Sequence, residues 1–187
     1  MRRYSKRSLT KTGKPSYIAV AAVTLDGRIA AHEKELTDWT SKEDKEFLHS
    51  FLDTCDTVIV GRATYETARK PLSKRNCIVF TRSVEGITPV KKNLTYCNPE
   101  RADLMRFIQE SGYERIAVLG GTKTFTYFLE NKLLDEFFLT IEPIIFGRGL
   151  PLFDGAPMRE RFQILSVKKL NSDGALLIHA TRRPHFE

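Results

Sequence analysis

With 187 residues, 41% of them hydrophobic and 28% charged, the chain has ordinary globular composition and enough length for one domain with a sizeable core, which excludes fibrous and disordered classes. No apolar run approaches membrane-spanning length and the N-terminus lacks the apolar core of a secretory leader, so a cytoplasmic protein without a membrane partner is expected. The net charge of +7 is localised: residues 1–15 carry Arg2, Arg3, Lys6, Arg7, Lys11 and Lys14 and no acid, so a basic, solvated arm precedes a nearly neutral single domain at 16–187.

Such an arm could contact phosphate backbones, which makes a nucleic-acid-binding module the reading from a different class. Its one aromatic, Tyr4, gives base stacking little support. Cys55, Cys77 and Cys97 form no close-spaced pair, and an odd count suits reduced, buried thiols better than disulfides or zinc. No metal site is expected.

Taken in order, residues 16–25 read SYIAVAAVTL, an apolar run suited to a central strand, and Asp26-Gly27 marks a turn after it. Ile29-Ala30-Ala31 is a second short apolar segment, followed by a polar stretch that could cover a site. Trp39, the only tryptophan, precedes a capping-box pattern of Thr40 with Glu43 and a helix over about 41–53, with Phe47, Leu48, Phe51, Leu52 and Cys55 on one face. Asp44 lies in the first turn of that helix, where the macrodipole favours a carboxylate. Beside an aromatic ring it could also accept paired N–H bonds from a heterocycle bearing an amino group next to a ring nitrogen; Glu43 is the alternative anchor.

Three apolar runs then end in the same way. Thr57-Val58-Ile59-Val60 gives way to Gly61-Arg62-Ala63-Thr64, Asn76-Cys77-Ile78-Val79-Phe80 to Thr81-Arg82-Ser83, and Ile116-Ala117-Val118-Leu119 to Gly120-Gly121-Thr122-Lys123-Thr124. Glycines without Cβ let backbone N–H groups approach an anion, arginine offers a fork of donors, and Thr122 or Thr124 can cap a following helix. One such ending has an equally good steric explanation. Three at the carboxyl ends of strands match the place where open α/β sheets bind ligands. A weaker strand at 94–97, a helix over about 101–110, a proline-interrupted strand over 136–146 carrying Thr140, a Gly147-Arg148-Gly149 loop and a closing hairpin of 162–170 with 175–182 complete the chain.

The series TLDGRIA, WTSKED, VIVGRATYE, IVFTRS, IAVLGGTKTF and LDEFFLTIEPIIFGRGLPLF resembles the dihydrofolate reductase superfamily, including the reductase domain of riboflavin biosynthesis, over nearly all of residues 16–182. The resemblance implies an α/β, three-layer fold: a mostly parallel twisted sheet with helices on both faces and an antiparallel C-terminal hairpin. It implies NADPH as cofactor, its diphosphate held by Gly61, Arg62, Thr64, Gly120, Gly121, Thr122, Lys123 and Thr124. Thr81, Arg82 and Ser83 would hold the adenosine ribose and its 2′-phosphate, and Ala22 and Ile29 would border the nicotinamide. Ala21, Trp39, Asp44, Leu48 and Thr140 would line the substrate pocket, with Asp44 and Thr140 as the catalytic pair.

The implied reaction is hydride transfer to a C=N carbon. Within the superfamily, the Trp, Ser, Glu-Asp and Gly-Arg-Gly spacing looks most like dihydrofolate reductases of the thermophilic bacterial type, which implies dihydrofolate, a pterin, as the substrate; the alternative is the phosphoribosylamino-pyrimidine of riboflavin biosynthesis. Residues 65–72, YETARKPL, lack the paired acids usual in the riboflavin branch, which favours dihydrofolate. Thr122 stands where many members have a third glycine, and its hydroxyl could itself bind phosphate. A homodimer through the C-terminal strands is a further expectation of the family.

Overall fold

A computed structural model describes residues 14–33, 35, 37–155 and 159–183, so the basic arm, but for Lys14 and Pro15, lies outside the described residues. In chain order the elements are β1 (Ser16–Thr24), β2 (Arg28–Ala30), α1 (Lys42–Leu52), β3 (Thr57–Gly61), α2 (Arg62–Leu72), β4 (Cys77–Phe80), β5 (Ile87–Lys91), β6 (Leu94–Cys97), α3 (Leu104–Glu110), β7 (Arg115–Val118), α4 (Thr122–Glu130), β8 (Leu134–Glu142), β9 (Leu150–Pro151), β10 (Phe162–Lys169) and β11 (Leu176–Arg182).

Nine strands form one sheet in the order β10-β11-β8-β1-β7-β3-β4-β6-β5, and β2 pairs with β9 in a small antiparallel ribbon. The pairs β8-β1, β1-β7, β7-β3, β3-β4 and β4-β6 are parallel; β10-β11, β11-β8 and β6-β5 are antiparallel. The central strands are apolar on both faces because both faces are covered. Ile18, Val20, Val58, Val60, Cys77, Val79 and Ala117 pack with Phe51, Leu52, Tyr65 and Leu72 of α1 and α2. Their neighbours along the strands, Tyr17, Ala19, Ile59, Ile78, Phe80, Ile116 and Val118, pack with Leu104, Ile108, Phe125 and Phe128 of α3 and α4. This period-2 alternation yields the three-layer architecture.

Several boundaries differ from the sequence reading. The helix at 41–53 is α1, but its N-cap is Ser41, which accepts from the Asp44 amide at 3.3 Å, so the Thr40/Glu43 capping box does not form. α3 begins at Leu104, capped by the Asp103 carboxylate on the Arg106 amide, because residues 98–103 turn around the Asn98 side chain instead. β8 stops at Glu142, where Pro143 can no longer donate to a ladder. α2 runs through Pro71 in its last turn.

Cys77 and Cys97 are buried, Cys55 is half-buried, and all three are free thiols. Burial pushes Cys77 and Cys97 up to about 11. Among the described residues no helix is long and apolar enough to cross a membrane.

Candidate active site

The carboxyl ends of β3, β4 and β7 lie side by side, and the glycines there are held by close contact. The Gly61 amide donates to the Gly120 carbonyl at 2.6 Å. A Cβ on Gly61 would stand 2.8 Å from Thr124 Oγ1; one on Gly121 would stand 3.3 Å from Thr64 Oγ1 and 3.8 Å from Ile29 Cδ1. Gly120 has φ +88°, the Gly120–Gly121 peptide is cis, and a Cβ on Gly120 would collide with the Phe125 ring. Gly61, Thr64, Gly120, Gly121, Thr124 and Ile29 therefore meet at one point.

The helices that leave this point start without side-chain caps. Gly61 is the N-cap of α2 and Gly121 that of α4, and neither Thr122 nor Thr124 caps as expected: both lie inside α4. No side chain takes the first-turn N–H groups of either helix, although in α4 the Thr124 amide donates to the Gly121 carbonyl at 2.9 Å. Lys123 is exposed in that turn. The Thr122 hydroxyl is committed elsewhere, donating to the Pro151 carbonyl at 2.6 Å and tying α4 to the β2/β9 ribbon, so Thr122 offers an anion its amide rather than its side chain.

Beside the cradle, Arg62 donates to Ser83 Oγ at 3.1 Å and lies over the Tyr96 ring, which joins the end of β3 to the loop after β4. The Thr81 and Ser83 hydroxyls are 3.0 Å apart. Arg82 is held by Glu100 through Nε at 2.9 Å and Nη2 at 2.6 Å. A cradle that a Cβ would fill, two uncapped helix starts and a cluster of two guanidinium groups with two hydroxyls fit an anionic dinucleotide such as NADPH.

On the α1 face, one strand further across, the register places Ala22 of β1 opposite Thr140 of β8 and Thr24 opposite Glu142. Asp44 of α1 descends onto this strand end. It is 7% exposed, Thr140 is 1% and Glu142 is 4%. Burial pushes the Asp44 carboxyl above the usual carboxylate range; hydrogen bonds from the Thr140 and Thr40 hydroxyls pull it back, the negative charge of Glu142 pushes it up again, and Lys45 pulls it down. Leu48, one turn along α1, is half-buried against the same core. Trp39, in a 3-10 turn over Thr37–Trp39, meets Phe146 edge-on with centroids 5.1 Å apart, and its buried indole Nε1 has no hydrogen-bond partner among the described residues. The Asp26 carboxylate, which accepts from the Phe146 and Gly147 amides at 3.2 and 2.9 Å, fixes the loop that carries Phe146.

Asp44 and Thr140 thus meet at one strand end, with Leu48 one turn along α1, Ala22 in the neighbouring strand and Trp39 set against Phe146 in the turn before α1. Ala21 is not gathered there: alternation along β1 turns its side chain to the opposite face, against the cluster of Phe125 and Phe128. Glu43 is set apart as well. It is half-buried and accepts from Asn171 Nδ2 at 3.4 Å across the turn of the C-terminal hairpin, so of the two acids only Asp44 is buried beside Thr140. Within the loop between Ile29 and Trp39, Lys34 and Leu36 lie outside the described residues. Glu142 escaped the sequence reading. The signal was present: a single acid in the apolar run FFLTIEPII, which a strand buried on both faces does not tolerate without partners.

The family described as RibD C-terminal domain matches residues 15–78 and 70–176. The chain is 31% identical over 170 residues to the uncharacterized protein YwjB of Bacillus subtilis, covering 86% of this chain and 94% of that one. Among solved structures it is similar to a putative riboflavin biosynthesis protein from a Shewanella species, with TM-score 0.67 and 20% identity over 90% of this chain and 99% of the other. It is also similar to a Thermotoga maritima diaminohydroxyphosphoribosylaminopyrimidine deaminase/5-amino-6-(5-phosphoribosylamino)uracil reductase, with TM-score 0.69 and 21% identity over 91% of this chain and 57% of that one. At these identities the structural likenesses are likenesses of fold.

Proposed function

Since the chain belongs to the RibD C-terminal domain family, oxidoreductases within the dihydrofolate reductase superfamily, we propose that it is an NADPH-dependent reductase of an amino-bearing pyrimidine-type heterocycle. The observation that carries this reading is the buried Asp44 between the Thr140 and Thr40 hydroxyls, on the strand end next to the Gly61/Gly120 cradle. The dihydrofolate preference implied by the resemblance to dihydrofolate reductases of the thermophilic bacterial type has less behind it than the pyrimidine alternative. The matched family and both similar solved structures lie on the riboflavin side, and the missing paired acids fall in residues of α2 whose place is filled by an uninterrupted helix.

When bound, the cofactor supplies a hydride. The chain's own residues do the rest. Gly61, Gly120 and Gly121 with the first turns of α2 and α4 receive the diphosphate, assisted by Arg62, Thr64, Thr122, Lys123 and Thr124. Thr81, Arg82 and Ser83 receive the 2′-phosphate and its ribose. Ala22 and Ile29 flank the space between cradle and carboxylate, which aligns the reactants by proximity. Asp44 accepts from the amino group and adjoining ring nitrogen of the substrate, and Thr140 fixes the orientation of its carboxylate. Trp39, Phe146 and Leu48 wall the pocket and keep water from it. A homodimer through the C-terminal strands belongs to the same reading, supported by Ile164, Leu165 and Val167 standing exposed on the edge strand β10, and sedimentation of the purified protein tests it.

The experiment is NADPH oxidation followed by absorbance with the riboflavin-pathway pyrimidine and, in parallel, with dihydrofolate. Turnover of the pyrimidine that collapses in Asp44→Asn supports the reading. Turnover of dihydrofolate alone reverses the choice of substrate and leaves the cofactor residues standing, and no binding of NADPH overturns the strand-end argument itself.

A further inference from the structure

Arg82, assigned above to the 2′-phosphate of the cofactor, already holds an anion of the chain's own. Its Nε at 2.9 Å and its Nη2 at 2.6 Å both donate to one oxygen of Glu100, in the segment that follows β6. The two side chains are 78% and 58% exposed, and exposed pairs often meet by chance, so what decides is whether the backbone brings them together. It does. Asn98, 4% exposed, donates through its amide to the Gly86 carbonyl at 2.8 Å and through Nδ2 to the Val84 carbonyl at 2.9 Å, while its Oδ1 accepts from the Glu100 amide at 3.2 Å. The Thr81 amide donates to the Cys97 carbonyl at 2.9 Å, and Arg101 pairs with Glu85 across the same two segments. The loop after β4 is therefore tied to the segment after β6 both before and after Arg82. Arg62, the other guanidinium of the cluster, meets Glu66 at 3.5 Å, but that acid stands four residues along the same helix, an ordinary surface pair. Only Glu100 is carried to its arginine by a separate element with a buried anchor.

We infer that Glu100 is a specificity-determining residue for the cofactor: it holds the Arg82 guanidinium in the place of the 2′-phosphate, and it must be displaced when NADPH binds but not when NADH binds. The inference rests on the proposed reductase function, which sets the 2′-phosphate at Arg82. The same two N–H groups cannot serve two anions at once, so an arriving phosphate has to exchange with the carboxylate. Because the Glu100 backbone is fixed by Asn98, the displaced carboxylate stays nearby as a like charge. A ribose with a free 2′-hydroxyl brings no charge and leaves the pair intact. Glu100 thus reduces the preference for NADPH that Thr81, Arg82 and Ser83 create, and it does so through the phosphorylated nucleotide alone.

The test is fluorescence titration of the full chain with NADPH and with NADH. Glu100→Gln keeps the shape of the side chain, removes its charge and lies at an exposed position, so folding is not at stake. The expected result is NADPH bound about three- to fivefold tighter, the scale of one exposed ion pair that no longer has to be broken, with NADH unchanged. Two further variants locate the effect. Glu85→Gln removes the same charge from the same pair of segments without freeing Arg82 and should leave the ratio of the two affinities as it is. In an Arg82→Ala background, Glu100→Gln should lose most of its gain, because no guanidinium remains to be released. A ratio that Glu100→Gln does not move, an equal gain in Glu85→Gln or an undiminished gain without Arg82 overturns the inference and leaves the proposed function standing. Failure of the wild type to bind NADPH is a different result: it removes the cofactor assignment, and the inference falls with it.

Discussion

Gly120 and Gly121 are neighbours in the sequence but should fail in different ways when each is given a methyl group. An alanine at 120 must adopt φ +88°, which for an L-residue costs about 1–2 kcal/mol. Its Cβ would also run into Phe125, with Cζ at 2.9 Å and Cδ2 at 3.1 Å. That ring is 2% exposed and wedged between Phe137 and Phe153, centroids 6.5 and 6.3 Å away, so it has nowhere to go, and overpacking of this kind costs roughly 1–3 kcal/mol. The total is about 2–5 kcal/mol, or roughly 4–20 °C in Tm for a chain of this size. An alanine at 121 would have φ −71°, which any L-residue adopts, and meets only the Thr64 hydroxyl at 3.3 Å and an Ile29 methyl at 3.8 Å, inside the cradle. Thermal denaturation and fluorescence titration with NADPH separate the two. Gly120→Ala should lose stability; Gly121→Ala should keep its Tm within a few degrees and lose cofactor affinity. A Gly120→Ala variant that melts with the wild type, or a Gly121→Ala variant that binds NADPH normally, refutes the reasoning.

Three further outcomes are expected. Asp44→Asn should lower kcat/KM by about 100-fold or more, the scale of a lost acid–base group. It should also raise Tm at neutral and alkaline pH, because a carboxyl whose folded pKa is raised contributes stability below its unfolded pKa and loses it as pH climbs through the folded one; calorimetry across pH checks the sign. Arg82→Ala should weaken NADPH by about tenfold, one charge-assisted hydrogen bond at an exposed position, while leaving NADH affinity unchanged in parallel titrations. Native protein treated with a thiol reagent at pH 8 should leave Cys77 and Cys97 unmodified until denaturant is added, which mass spectrometry of the labelled peptides reads directly.

The strands were legible because the sheet is covered on both faces: a four-residue run such as Thr57-Val58-Ile59-Val60 or Ile116-Ala117-Val118-Leu119 has no other use in a chain of this length. α2 was not legible. Its residues RATYETARKPL bury only Tyr65 and Leu72, so no apolar stripe announces it, and Pro71 suggests a turn although the helix runs through it to Leu72. β5, with four of five residues exposed and a proline inside, is an edge strand that only its partner β6 defines. In the site, the glycine endings could be found from composition at strand ends, and Asp44 from its place in a first turn. What could not be read was which hydroxyl serves which purpose. Thr122 faces Pro151 and Thr140 faces Asp44 because of contacts 29 and 96 residues away along the chain, and nothing local in either segment encodes them.

The order of the strands divides labour between the two halves of the sheet. Every residue assigned to the phosphates hangs from β3, β4 and β7 on one side of β1, and the acid–hydroxyl cluster hangs from α1 and β8 on the other. Among the strands, β1 alone pairs toward both halves, with β7 on one side and β8 on the other. Under the proposed function, a new heterocycle would be accommodated by rewriting one helix turn and one strand end, while the residues assigned to the nucleotide stay as they are. The sheet behaves as a chassis with an exchangeable tool at one end, and grafting residues 39–48 and 138–142 between members of this fold is a direct route to changing what is reduced without rebuilding what does the reducing.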